Sequence, residues 1–405
     1  RGGWPVSAGT IAAAPSRAVS AKHLGIAGVA LAVIAWFITL PPFLVRTPVP
    51  SIILGLAAMT AGALALQAGE TRLGWVDLGL GLLAIAGAFA SSKSGVGHLK
   101  TVFVWSALVA AMLRYATPLL FAALGGIVCE RSGVINIGLE GMMLMGCYFG
   151  IFGADVLGSW VLGLVVAAVA GGLLALVHAV FSIHLRANQV VSGTGINFLA
   201  LGITGYFFTA HYGPNGTPNN ISSVPNVKLP LIQHLGFFGQ AIGDANLMTW
   251  LGLALVPVLA VFLFRTRWGL RLRAVGEKPR AADTVGLPVL RIRYLAVVAS
   301  GMLAALGGAY LSVAFVGSFT PNMTEGKGFI ALAAVIFGRW RPGLALVATL
   351  LFGFSEAMAD RLPTFSGTLA TLFQALPYVL TLVAVAGLIG ASRPPAASGI
   401  PYVKE

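Results

Sequence analysis

VLGSWVLGLVVAAVAGGLLALVHAVFSI, residues 156–183, runs for twenty-eight positions with His178 as its only ionisable side chain. A helix rises about 1.5 Å per residue and needs about 20 apolar residues to cross the hydrocarbon core, so this stretch is long enough to span a bilayer. It is one of about twelve. Comparable runs fall at 24–40, 49–66, 75–90, 101–127, 134–154, 190–209, 249–264, 294–316, 326–338, 343–358 and 371–391. The pattern predicts an all-α polytopic integral membrane protein: a bundle of about nine core spans, preceded by about three in residues 1–100. The run ending at Gly338 is short enough to predict a re-entrant or broken helix. Arg114 and Pro118 predict an interfacial lead-in before the span at 101–127.

Composition requires the same solvent. Of 405 residues, 58% are hydrophobic and 9% charged, against about a quarter charged in a soluble globule. Mean hydropathy is +0.91. There is too little polar surface for a sizeable soluble domain, so 101–405 reads as one membrane domain and 1–100 as an extension whose bland reading is a membrane anchor. The first run, Leu24 to Leu40, precedes Pro41 and Pro42 without a small-residue cleavage site, which predicts a retained span. No reading depends on the chain opening at Arg1.

The net charge of +13 speaks to topology before partners, because spanning proteins hold Lys and Arg on the cytoplasmic side. With the amino terminus inside, strict alternation places eighteen of the 25 basic residues inside and seven outside. Both termini are expected in the cytoplasm, and no nucleic-acid partner is implied. The long polar segment 210–248, containing GPNGTPNN, then lies outside and reads as turns and irregular chain. It serves as a connecting loop or as a docking surface for an external partner. Glycines spaced as small-xxx-small, such as Gly158 with Gly163 and Gly301 through Gly307 and Gly308, read as helix packing.

Between two spans lies RTRWGLRLRAVGEKPRAADTVGLPVLRIR, residues 265–293, with eight basic residues against Glu277 and Asp283. Pro279 suits a first helical turn, Arg280, Ala281, Ala282 and Asp283 suit a short helix, and Gly286 is placed to end it. An ordinary positive-inside loop would have this charge. So would a rigid knob through which a separate motor turns the spans.

The stretch GLRLRAVGEKPRAADTVG resembles the cytoplasmic coupling segment of permeases in the branched-chain amino acid, simple sugar and nucleoside branch of bacterial ABC importers. ATPLLFAALGGIVCERSGVINIGLEGMMLMG at 116–146, LRANQVVSGTGINFLALG at 185–202, GGAYLSVAFVGSFTPNMTEGKGFIALAAVIFGRWRP at 307–342 and the tail GIPYVKE resemble the same family, closest to its nucleoside-type permease. The likeness runs from about Tyr115 to Glu405. It implies a bacterial plasma-membrane subunit importing nucleosides, with simple sugars or other small polar solutes as the alternative. It also implies an ABC ATPase subunit, a second homologous permease and an extracytoplasmic substrate-binding lipoprotein as partners. Carried over, the ATPase contact falls on Gly276, Glu277, Pro279, Ala281, Ala282 and Gly286, with Arg280 and Asp283 in the same short helix.

The chain reads as a transport subunit and not an enzyme. Gly326-Lys327-Gly328 lacks both the first glycine and the hydroxyl residue of a phosphate loop. Gly353-Phe354-Ser355-Glu356-Ala357 is one residue short of a nucleophile elbow and lies in an apolar helical run. Cys129, Cys147 and six histidines show no metal spacing, so neither metal nor cofactor is expected. Polar residues inside spans usually face a cavity or a neighbouring helix. Here they are Asn136 and Glu140, expected one helical turn apart, then Asn188, Gln189, Ser192 and Asn197 at a helix start, and Glu356 and Gln374. Each either bonds between helices or lines the translocation path, where amides suit a neutral riboside. Glu140 and Glu356 are also the acids an ion-coupled secondary transporter would use.

Overall fold

The computed structural model describes residues 21–39, 48–93, 105–218, 220–228, 239, 241–361 and 394–403. The chain divides after Val104 into two compact units.

The first unit is three mutually packed helices, α1 (Ala21–Thr39), α2 (Val49–Gln67) and α3 (Thr71–Lys93). Of these, α2 is long and apolar enough to cross a membrane, and α1 holds a shorter apolar stretch, His23–Ala35. Glycine faces bring the backbones together: an ideal Cβ on Gly62 would meet the Gly74 carbonyl oxygen at 2.8 Å, and one on Gly74 would meet that of Gly62 at 2.8 Å. Asp77 lies fully buried among these helices, both carboxylate oxygens without a partner among the described residues.

The second unit is built from α4 (Trp105–Arg131), α5 (Leu139–Val156), α6 (Trp160–Ala179), α7 (Gln189–His211), α8 (Leu247–Arg265), α9 (Arg267–Glu277), α10 (Pro279–Thr284), α11 (Val289–Ala309), α12 (Lys327–Phe337) and α13 (Pro342–Arg361). Two of them end in π-helical turns: α6 runs on through Val180–His184 and α11 through Tyr310–Val316. Among the described residues of both units, eight helices are long and apolar enough to cross a membrane. The molecule is therefore a multi-pass membrane protein, with fewer such helices than the twelve runs predict. The run at 371–391 lies outside the described residues.

Helix α11 is the axis of this unit, packed on α4, α5 and α6. In lipid the hydrophobic effect does not drive helices together, so close approach and dispersion must do so. Small residues permit it. An ideal Cβ on Gly301 would meet the Gly171 carbonyl oxygen at 2.5 Å, and one on Gly171 would meet that of Gly301 at 2.6 Å. Gly308 lies on the Met143 carbonyl and Gly307 on that of Pro118. The packing role read for Gly301, Gly307 and Gly308 is realised, whereas Gly158 has positive φ in a turn with nothing nearby. Cys129 and Cys147 are buried free thiols in this core, and the Cys147 Sγ donates to the Gly308 carbonyl at 3.1 Å.

Three local readings change and a fourth is realised. Among the described residues no separate lead-in precedes the fourth span, because α4 is one helix of 27 residues carrying Pro118 inside it. Asn136 is not on a helix with Glu140; residues 132–138 form a non-helical link and α5 starts at Leu139. The 210–248 segment contains a two-stranded antiparallel ribbon, β1 (Asn226–Lys228) against β2 (Asp244–Asn246), in which Asn226 faces Asn246. The broken span is real: α12 has 11 residues, about 16 Å at the helical rise, which is half the thickness of a bilayer core.

A side chain at Gly308 has no room, since overpacking in a filled core costs about 1–3 kcal/mol or more. Gly308→Leu should lower the thermal midpoint of the detergent-purified chain by several degrees or abolish its folded peak. Gly205→Leu, which meets open space, should not.

Candidate functional site

Polar side chains collect in three places. The first surrounds the irregular link 132–138, whose backbone groups have no helical partners and, inside a membrane, must find others. Side chains supply them. The Ile135 amide donates to Gln189 Oε1 at 2.7 Å, and the Ile135 carbonyl faces His178 Nε2 at 3.2 Å. A carbonyl can only accept, so Nε2 carries the proton and Nδ1, 3.0 Å from Ser192 Oγ, is left to accept from that hydroxyl. Asn197 Nδ2 donates to the Ile137 carbonyl at 3.1 Å while its Oδ1 accepts from the Gly141 amide at 2.8 Å. Asn136 Nδ2 donates to Ser300 Oγ on α11 at 3.0 Å, and its Oδ1, also buried, has no partner among the described residues. Asn188 caps α7, accepting from the amides of Val190 and Val191.

The same packing pins the broken span. Chain 317–326 leads to α12, whose first amides point at Glu140: Gly326 N donates to Oε1 at 2.8 Å and Gly328 N to Oε2 at 2.6 Å. A carboxylate at a helix amino terminus satisfies donors that the helix cannot and meets the positive end of its dipole. Gly326 must be glycine-like here, at φ 84°, and a Cβ on Gly328 would strike Glu140 itself. Lys327, between them, forms an ion pair with Glu356 of α13 at 3.1 Å. The glycine-lysine-glycine run thus serves as the receptor for a carboxylate. Of the eight polar residues read from the sequence, seven lie in this connected region, and Gln374 falls outside the described residues.

The second place is a cavity of about 460 Å³ that sequence reasoning missed. It is lined by Arg114 of α4, Asn226, Asp244 and Asn246 of the ribbon, Thr249 of α8, and Tyr310 and Phe315 of the π turn ending α11. Tyr310 and Phe315 stack with ring centroids 6.3 Å apart and planes 6° from parallel, and Tyr115 meets Phe315 edge-on at 5.9 Å. Thr117 and Thr249 share a buried hydrogen bond of 3.1 Å behind them. A π turn rotates the following residues by a fraction of a turn, so α11 presents both aromatics to one side, and such turns are frequent at functional sites. The available signal was Arg114, a charge within an apolar run.

The third place is the opposite end of the same helices. There Thr266 caps α9 by accepting from the Gly269 amide at 3.1 Å, and Pro279 opens α10. Gly286, at φ 82°, follows it. Gly276 and Ala282 are buried, Asp283 and Pro279 are half-buried, and Glu277, Arg280, Ala281 and Gly286 are exposed. Gly276 lies on the Arg131 carbonyl, where a Cβ would not fit. Arg131 in turn donates from Nε and Nη2 to the Trp340 carbonyl at 3.2 and 3.0 Å, while Trp340 Nε1 donates to the buried Glu130. The exposed apex also includes Lys278, Thr284 and Val285, which the sequence reading omitted.

A chain with a polar aromatic cavity at one end of its spans and a compact basic knob at the other can be compared with known proteins. Residues 108–385 match the family described as branched-chain amino acid transport system / permease component. The chain belongs to this family. Permeases similar to it include the guanosine ABC transporter permease protein NupQ of Bacillus subtilis, 40% identical over 314 residues that cover 75% of this chain and 98% of the relative. The nucleoside ABC transporter permease protein NupC of Lactococcus lactis is 37% identical over 309 residues, covering 74% and 97%. A Haloferax volcanii protein whose name assigns it provisionally to a glucose ABC transporter, TsgC13, is 41% identical over 263 residues, covering 64% and 78%. No solved structure matches the chain. The permease family match contains the cavity, the broken span and the knob, and leaves the first unit outside.

Breaking one partner of a desolvated ion pair costs more than removing both, by up to about 3–5 kcal/mol for a fully buried pair. Lys327→Met alone should lower the permease's thermal midpoint more than Lys327→Met combined with Glu356→Leu. Glu140→Ala, which strands two amides at roughly 1–3 kcal/mol each, should be the most damaging of the three in the same melt.

Proposed function

We propose that this chain is the membrane-spanning subunit of an ATP-driven nucleoside importer in a bacterial plasma membrane. It works with an ABC ATPase, a second homologous permease and an extracytoplasmic substrate-binding lipoprotein. The reading is carried by its identity to the guanosine and nucleoside permeases over nearly their whole lengths. The 265–293 segment faces the cytoplasm with both termini, and the exposed apex of α10 meets the ATPase, with Gly276 and Ala282 positioning it from within.

The aromatic cavity then lies at the outer end and receives the substrate. A nucleoside offers a flat base, a ribose with donating hydroxyls, and no charge. Phe315, backed by Tyr310 and Tyr115, gives the base a stacking face. The Asp244 carboxylate accepts from ribose hydroxyls or base N–H groups, and the Arg114 guanidinium donates to base carbonyls. Closure of the ATPase pulls the knob and opens the path to the other side, and differential binding to the two states sets direction. The likeness to TsgC13 favours a second reading, a simple sugar, for which the same polar groups would serve and a stacked base would not be required.

Uptake of labelled guanosine, cytidine and glucose into proteoliposomes holding the complete set of subunits, with and without ATP on the ATPase side, decides between them. We expect ATP-dependent nucleoside uptake that glucose does not compete; glucose uptake in its place would establish the sugar reading, and uptake by this chain alone under an ion gradient would overturn the importer. Base stacking is worth about 1–3 kcal/mol, so Phe315→Ala should raise the nucleoside KM roughly tenfold while Phe315→Trp should not.

A further inference from the structure

The last described stretch, Pro394–Val403, has too few residues to hold a fold of its own and is fastened to the knob. Its Ala397 amide donates to the Gly276 carbonyl at 2.9 Å, its Ala396 amide to Glu277 Oε2 at 3.2 Å, and its Gly399 amide to the Gly133 carbonyl at 3.3 Å. Arg293 Nη1 donates to the Ile400 carbonyl at 3.2 Å, and the Tyr402 hydroxyl donates to Asp283 Oδ2 at 2.8 Å. The Arg293 guanidinium also lies over the Tyr402 ring, 6.0 Å from its centroid. Tyr402 is buried in a separate apolar cluster with Val275, Ala282 and Val289. Ten residues thus join the α4–α5 link, the α9–α10 joint, α10 itself and the start of α11.

Two consequences follow for the ATPase-facing surface. Both acids of the knob bond to the tail through one carboxylate oxygen each, while Glu277 stays exposed and Asp283 half-buried. Beside Glu277, the composite surface shows basic and apolar groups outward: exposed Lys278 and Arg280, with Val285 75%, Ile400 57% and Val403 45% exposed. Apolar residues on a polar, basic face are a signature of a covered surface.

We propose that the carboxy-terminal tail is part of the ATPase docking surface: it locks α10 to α4 and α11, and Ile400 and Val403 contact an ATPase face that is apolar and acidic. This rests on the importer reading above and extends it from a single coupling segment to a two-part surface. Because α4 and α11 carry Arg114, Tyr310 and Phe315 at their other ends, the lock also gives the motor a rigid connection to the cavity.

The test measures the affinity of the purified ATPase subunit for the paired permeases in nanodiscs, together with the ATP hydrolysed per nucleoside imported. Ile400→Glu with Val403→Glu alters only exposed side chains, so the melting midpoint of the permease should stay unchanged while ATPase affinity falls at least tenfold. Tyr402→Phe keeps the ring and loses the bond to Asp283; it should raise the ATP spent per nucleoside at least threefold with little change in affinity. Arg280→Glu is the reference for the parent reading. If it weakens ATPase binding and the tail variants change neither quantity, the tail proposal is overturned and the importer reading stands. If Arg280→Glu also leaves both unchanged, the assignment of the knob to the ATPase falls with it.

Discussion

The carboxylate of Glu140, accepting from the amides of Gly326 and Gly328, is the contact on which the centre of the permease unit depends. A helix that starts within a membrane exposes amide donors to a medium that cannot bond them, and each would cost several kcal/mol unpaired. The protein answers with an acid from a neighbouring span, whose charge is itself balanced by the donors and the local dipole. The 132–138 link poses the same problem and is answered by Gln189, His178 and Asn197. In both places side chains from other helices take up the bonds that irregular backbone leaves open.

Those bonds favour a structural role for these polar residues. Asn197, His178 and Glu140 bond to backbone groups of the same chain, as Gln189 does through Oε1, so the region is a polar knot joining α5, α6, α7 and α12; Gln189 Nε2 and Asn136 Oδ1 are left without partners among the described residues. A translocation path needs groups that exchange partners. The proposed substrate cavity offers such groups in Arg114, Asp244 and the aromatic pair, on elements that are helical ends and a short ribbon. The glycine contacts of α11 with α4, α5 and α6 make the intervening body stiff, since backbones in direct contact cannot slide without opening voids. Stiffness there suits a molecule in which work done at one end must be felt at the other.

The sequence was legible where the physics is local. Apolar length announces a span, and α6, α7, α8 and α13 begin and end close to the expected residues. The short helix of the knob was visible in Pro279 and Gly286, because proline at a first turn and glycine after a last one are backbone requirements. Resemblance carried what spacing left open, namely that this knob belongs to a permease. What stayed hidden was tertiary. Nothing in the residues 132–138 says that three side chains from forty to sixty-five positions away will hold them out of a helix. Pro118 reads as a break, yet α4 passes through it, because helix-breaking residues are tolerated in spans when packing holds them. The cavity was invisible because its members come from four separated segments, and Tyr310 and Phe315 share a side only through the π turn.

The acids weigh on how the permease is energised. An ion-coupled carrier needs a carboxylate that can release its partner and take a proton or cation within the cycle. Glu140 is held by two amides on a helix that would lose its amino-terminal support if it let go, and Glu356 is paired with Lys327, a cation supplied by the protein itself. The buried Asp77, whose oxygens have no partner among the described residues, belongs to the first unit, outside the family match. Within the permease unit Glu140 and Glu356 are thus engaged in structural contacts, and the proposed site of coupling is the basic knob. Energy arriving there, at the end of α4 and α11 remote from the aromatic cavity, is the arrangement expected of a subunit driven by a separate motor.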